Sequence, residues 1–229
     1  MKTVLITGAA GNLGSAVLRK FLTSGYRVIA TVQNREQLDA MEQNSNLEAR
    51  VVNLNNENEA SGFISEMTAK YGQIDAALLL VGGFAAGDIE HTTADDLRKQ
   101  YSLNFETAYF VARPLFTHMM SHGYGRLVFV GARPALQAAA GKSMVAYALS
   151  KSLVFKLAEF LNAEAKGKNV TATVVVPSTI DTAINRQSMP DANPENWVKA
   201  SQIADLMEMI CSETGAPLRE TVLKVYNNA

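Results

Sequence analysis

The sequence predicts an α/β protein built on a doubly wound parallel sheet, about seven strands with helices on both faces. Three observations carry this. Short apolar runs, each stopped by glycine or a polar turn, alternate with stretches of helical periodicity. The alternation recurs along the whole chain. The first apolar run feeds directly into a glycine-rich turn.

Taken in order, Val4, Leu5 and Ile6 form a run stopped by Thr7-Gly8, as a strand buried on both faces would be. Leu13, Val17 and Phe21, with Leu18 and Leu22, then recur at helical spacing until Gly25. Residues 28–32 read as the second strand, 35–43 as a helix and 49–52 as the third strand. A helix over 57–71 closes at Tyr71-Gly72, and the fourth strand, 74–81, ends in Gly82-Gly83. Helices near 93–103 and 105–121 precede a glycine turn and the fifth strand, 126–130. A small-residue loop leads to a long helix near 143–166, and Pro177 stops the sixth strand, 170–176. Residues 178–196, with Pro190 and Pro194, read as a loop. A helix near 199–213 and a strand near 220–226 complete a single domain over 1–229. A loop as long as 178–196 is expected to be a lid over substrate; otherwise it is a surface insertion.

Of the 229 residues, 48% are hydrophobic and 19% charged, which argues for a folded core. Twenty-one Lys and Arg against 22 Asp and Glu leave a net charge of −1, so neither nucleic acid nor an acidic membrane surface is an expected partner. The single cysteine, Cys211, excludes an intrachain disulfide and a cysteine-rich zinc site. His91, His118 and His122 lack metal-ligand spacing, so no metal is expected. The first apolar run is too short for a signal peptide or membrane helix. The expectation is a cytoplasmic protein acting on a small molecule.

Gly8, Gly11 and Gly14 are spaced three apart between the first strand and its helix, around Asn12 and Leu13. Glycines there permit a tight turn and a close approach of ligand to backbone, while the helix start offers unpaired N–H groups to a pyrophosphate. At the end of the second strand Gln33, Asn34 and Arg35 stand where an acidic residue would select NAD. A guanidinium with two amides suits a 2′-phosphate, so NADP(H) is expected over NAD(H).

Tyr147 and Lys151 are four apart on the long helix and share a face. A neighbouring ammonium is expected to lower the phenol's pKa toward the working range of an acid–base catalyst. Asn104 opens the intervening helix, and Ser143 precedes Tyr147 by one helical turn.

The order of Thr7-Gly8…Gly14, Asn104, Tyr147-x-x-x-Lys151 and Pro177-Ser178-Thr179-Ile180-Asp181-Thr182 resembles the short-chain dehydrogenase/reductases over essentially the whole chain. Within that family the dihydropteridine reductase branch is the nearest likeness. It is carried by Val81 to Gly87, Gly131 to Leu136, and the stretch from Thr182 to Trp197. The resemblance implies a Rossmann-like domain and an NAD(P)-dependent reductase. Tyr147 would be proton donor, Lys151 would hold the ribose, and Asn104 would support a water relay. It places Asn53 and Leu54 beside the adenine, Val81 and Gly82 under the ribose, and Pro177, Ile180 and Thr182 around the nicotinamide amide. Phe84, Ala132, Ser143, Met189 and Trp197 would line the substrate. Gly131-Ala132 stands where most of the family carries a serine, and the dihydropteridine branch shares that loss. That branch has an aspartate where Gln33 stands and lacks the asparagine matching Asn104. The resemblance also implies a homodimer or homotetramer through the helices near 105–121 and 143–166. The acceptor is either quinonoid and dihydropteridine-like or a carbonyl. A dinucleotide-binding regulator without turnover is the alternative.

Overall fold

A computed structural model describes residues 1–228 of the chain. Its main sheet is wholly parallel, in the order β3-β2-β1-β4-β5-β6-β9. The strands are β1 (Thr3–Thr7), β2 (Arg27–Val32), β3 (Leu47–Val51), β4 (Ala76–Leu79), β5 (Tyr124–Val130), β6 (Asn169–Pro177) and β9 (Val222–Val225); β7 (Ile180–Asp181) and β8 (Val198–Lys199) form a separate parallel pair. The expected fold class is therefore the observed one.

The helices are α1 (Asn12–Thr23), α2 (Arg35–Asp39), α3 (Glu57–Tyr71), α4 (Ala94–Tyr101), α5 (Thr107–His122), α6 (Arg133–Leu136), α7 (Ala138–Gly141), α8 (Val145–Glu164), α9 (Ala183–Ser188) and α10 (Ala200–Cys211). The alternation of side chains along each central strand feeds two cores. Val4, Ile6, Val28, Ala30 and Leu78 meet α1 and α10 through Val17, Phe21, Ile203 and Met207. Leu5, Ile29, Ala77 and Leu79 meet α3, α5 and α8 through Met67, Leu115, Met119, Val154 and Ala158. Burying each such large side chain contributes about 1.5–3 kcal/mol. Cys211, 1% exposed, belongs to the first of these cores, and burial pushes its thiol up to about 12.

Because the chain runs out to β3 and then returns to β4, a crevice opens between the C-terminal ends of β1 and β4. Open α/β sheets place their ligands at such a switch point.

Five local expectations are corrected. The helix expected over 35–43 ends at Asp39. The helices near 93–103 and 105–121 are one run, joined by a π-helical turn over Ser102–Glu106. The loop after β5 holds α6 and α7. Helix α8 begins at Val145, so Ser143 lies before it. Its carbonyl accepts from Gly87 N at 2.9 Å, and Val145 N donates to Gly87 O at 2.8 Å, which keeps this stretch extended. Finally, 178–196 is structured: β7 pairs with β8, and α9 and a 3₁₀ turn at Pro194–Asn196 lie between them.

Candidate active site

The glycine turn follows β1. Gly8 has φ +65°, and a Cβ there would lie 3.2 Å from Val81 Cγ2 across the crevice. A Cβ on Gly14 would sit 2.1 Å from Gly8 O, a backbone contact that no side chain can relieve. Gly11 N donates to Gly8 O at 3.0 Å and Gly11 caps α1 without a side chain; no acidic residue lies in the first turn. The first amides of α1, from Asn12, Leu13 and Gly14, thus face the crevice with neither a side-chain cap nor a carboxylate competing for them. That is an anion site by construction.

At the end of β2, Asn34 Oδ1 caps α2 by accepting from Gln37 N at 2.9 Å, and Gln33 N donates to Gln37 Oε1 at 2.9 Å. Arg35 projects into solvent with its Nε 2.9 Å from Asp39 Oδ1. At the end of β3, Leu54 is core, while Asn53 N donates to Glu59 Oε1 and Asn53 Oδ1 accepts from Asn55 N.

Asn104 sits in the π-helical turn, 1% exposed. Its Nδ2 donates to Gly83 O at 3.0 Å, Gln100 Oε1 at 2.8 Å and Ser150 Oγ at 3.1 Å, while Oδ1 accepts from Gly83 N at 2.9 Å. Ser150 Oγ in turn donates to Tyr147 O at 2.8 Å. One amide therefore locks the loop after β4 onto α8 beside Tyr147 and Lys151. A Cβ on Gly82 would lie 2.7 Å from Asn104 Oδ1 and 3.0 Å from Lys151 Nζ. Gln100, Gly83 and Ser150 are members that sequence reasoning missed. Gln100 one turn before Asn104, and Ser150 one turn after Tyr147, were the available signals.

Lys151 is 5% exposed, and its Nζ donates to Val130 O at 2.9 Å. Burial alone pushes it down to about 8. Burial alone also pushes the Tyr147 phenol up to about 12, the reverse of the lowering expected from Lys151. The Tyr147 ring meets Phe84 edge-on, with centroids 5.3 Å apart.

Ala132 is buried at the N-terminus of α6 and offers no hydroxyl; Ser143, exposed, stands off α8. Pro177 closes β6, Ile180 lies in β7, and Thr182 Oγ1 caps α9 by accepting from Asn185 N at 3.1 Å. Met189 is exposed, whereas Trp197 is 5% exposed and turned into the protein. A polar cleft of about 490 Å³ lined by Arg27, Glu48, Arg50 and Tyr71 lies elsewhere, at the opposite ends of β2 and β3. Its Glu48 is already held by Lys70, Arg50 and Tyr71, which keep its carboxyl down at about 2 despite burial.

Among the described residues no cluster of three His, Cys, Asp or Glu suits a metal ion, and no helix is long and apolar enough to cross a membrane.

The uncapped start of α1, which the missing side chain of Gly14 lets pack directly on the turn at Gly8, suits the pyrophosphate of a nicotinamide dinucleotide, and this fold with this turn is that of an NAD(P)-dependent oxidoreductase. More particularly, residues 2–193 match the short chain dehydrogenase family, and the chain belongs to it. An acetoacetyl-CoA reductase from Acinetobacter sp. (strain RA3849) is 27% identical over 183 residues, 77% of this chain and 73% of that one. A dihydropteridine reductase from Dictyostelium discoideum is 25% identical over 230 residues, 97% of this chain and 94% of that one. The solved structure of ElxO with NADP bound has the same fold, with a TM-score of 0.88 at 20% identity, covering 98% of this chain and 96% of that one.

Proposed function

We propose that this enzyme reduces a small conjugated acceptor, quinonoid and dihydropteridine-like in character, with Tyr147 as the proton donor and NADPH as the preferred cofactor. When bound, the dinucleotide supplies the hydride. The amides of Asn12, Leu13 and Gly14 hold its pyrophosphate, with Asn53, Leu54, Val81 and Gly82 along the adenosine and Pro177, Ile180 and Thr182 at the nicotinamide end. Lys151 holds the ribose and supplies positive charge behind Tyr147. Asn104 fixes the loop that Lys151 packs beneath. Tyr147 keeps its proton at neutral pH and gives it to the acceptor atom next to the carbon being reduced. The full-length likeness to a dihydropteridine reductase supports this acceptor class.

The observation that carries the reading is the missing second donor. With Ala132 in place of a hydroxyl, and Ser143 exposed and off α8, this reading gives Tyr147 no second hydroxyl to share the acceptor with. A plain ketone needs its oxygen held and polarised; a quinonoid imine-like acceptor needs this less. Ser143→Ala is therefore expected to leave kcat within about twofold, and Ala132→Ser to raise turnover of a plain ketone by about tenfold, one charge-neutral hydrogen bond in the transition state. A large loss in Ser143→Ala would instead favour a carbonyl reductase that uses Ser143.

The NADPH preference rests on Arg35. Its ion pair with Asp39 is solvent-exposed and costs little to exchange for a phosphate. Arg35→Ala is expected to weaken NADPH about tenfold and leave NADH nearly unchanged, by titration of each cofactor. A wild type that binds NADH at least as tightly overturns the preference.

An oligomer is proposed through α4–α5 and α8. Leu149, Leu153 and Phe160 form an exposed stripe on α8, and Leu97 and Tyr101 a second on α4. Tyr101, Phe105 and Tyr109 continue the latter as a ladder with centroids 5.4 and 5.8 Å apart. Light scattering at micromolar concentration is expected to report a dimer or tetramer, and Phe160→Glu to dissociate it. A wild type that scatters only as a monomer contradicts the assignment.

A further inference from the structure

The two arms of the 178–199 segment are held by three consecutive residues near the C-terminus, Val225 and Tyr226 on one arm and Asn227 on the other. On the outgoing arm, Ser178 N donates to Val225 O at 3.0 Å and Ser178 Oγ to Tyr226 O at 2.7 Å. On the returning arm, Asn227 Nδ2 donates to Glu195 O at 3.2 Å and Trp197 O at 3.0 Å. Asn227 does this from a left-handed backbone, φ +52°, the one such non-glycine residue among those described. Asparagine tolerates that conformation better than most side chains, and here it aims the amide at the two carbonyls.

The arms also close on each other. Ile180 and Asp181 of β7 pair with Val198 and Lys199 of β8, and Val198 N donates to Thr179 O at 3.0 Å. Beyond this clasp the segment carries α9, whose Arg186 makes a two-bond ion pair with Asp181 at 2.7 and 2.9 Å, and the exposed Ile184 and Met189. The tail reaches the catalytic wall as well. The Arg133 guanidinium, next to Ala132, lies 5.6 Å from the centre of the Tyr226 ring, and Tyr226 packs on the core shared with α8. Val225, Tyr226 and Asn227 thus join the wall at Ala132 to both ends of the segment.

We infer that Asn227 is a positioning residue. It fixes the returning arm, so that residues 182–194 move as one flap from a set hinge and bring Ile184 and Met189 over the acceptor. The inference rests on the proposed reading of 178–196 as a cover for the site. Asn227 touches neither cofactor nor acceptor in this scheme. Its effect passes through the backbone of Glu195 and Trp197.

Trypsin provides the test, because Arg186 is the only Lys or Arg between Lys168 and Lys199. Asn227→Ala removes the donor, and Asn227→Asp keeps the shape but cannot donate. In both variants, cleavage after Arg186 without cofactor is expected to rise about tenfold with NADPH affinity within about twofold, and in Asn227→Asp, which also tolerates the left-handed backbone, the melting temperature is expected to stay unchanged. The KM for a quinonoid dihydropterin is expected to rise about fivefold with kcat little changed, a split that a merely structural loss would not give. Wild-type cleavage rates in both variants overturn the inference. So does a fall in kcat with KM unchanged. Equal cleavage of the wild type with and without NADPH contradicts the cover reading instead, and the cofactor-free cleavage rate still decides whether Asn227 is the anchor.

Discussion

Tyr147→Phe is expected to lower kcat by about 10²–10⁴ while NADPH affinity stays within a few-fold, because the change removes the phenolic proton and nothing else. The ring, its place on α8 and its edge contact with Phe84 all remain available to phenylalanine. Burial holds the Tyr147 proton up to about 12, so the group is fully loaded as an acid across the neutral range. A strongly reactive quinonoid acceptor that takes its proton partly from water would show the smaller end of this loss, and a plain ketone run alongside the larger. A variant with full turnover on both would remove Tyr147 from the mechanism. Equilibrium titration with NADPH separates a chemical loss from a binding loss.

Lys151→Met is expected to abolish most activity and yet to stabilise the protein at pH 7. Taking the Lys151 ammonium from its ordinary range to about 8 corresponds to a net cost of about 3 kcal/mol on the charged form at neutral pH. The sign with pH follows from proton counting. Between about 8 and the ordinary lysine value the unfolded chain binds the proton and the native chain does not, so wild-type stability rises with pH there. Below about 8 both forms are charged and the full cost is carried. The stability advantage of Lys151→Met is therefore expected to be largest at pH 7 and to shrink toward pH 10, by denaturant unfolding at each pH. Wild-type kcat/KM should fall as pH rises through about 8, where the free enzyme loses the charge behind Tyr147. A variant less stable than wild type at pH 7, with no pH dependence in the difference, would contradict the buried-charge account.

Periodicity was enough to place the sheet and its main helices, since each strand is a short apolar run and each long helix keeps a spaced apolar face. The glycine turn and the Tyr147–Lys151 spacing were legible for the same reason: both are local patterns. What escaped depends on distant partners. The π-helical turn at Asn104 is stabilised by Gly83 and Ser150, far apart in sequence, and no local period announces it. The β7–β8 pair spans two residues on each side, too short for an alternation signal. Ser143 reads as helical by spacing, but its backbone is tied to Gly87, so α8 starts later. The raised Tyr147 phenol escaped because spacing gives adjacency to Lys151 and says nothing of the dielectric around either group.

The central claim is a reduction with one proton donor and no second group to hold a carbonyl oxygen. It is tested most directly by wild-type turnover with NADPH, followed at the nicotinamide absorbance, on a quinonoid dihydropterin and on a plain ketone in parallel. The account predicts a kcat/KM for the quinonoid acceptor at least about tenfold above that for the ketone, the equivalent of about 1.4 kcal/mol, one missing oxygen-holding hydrogen bond. Equal efficiency on the two acceptors, or a preference for the ketone, would contradict it.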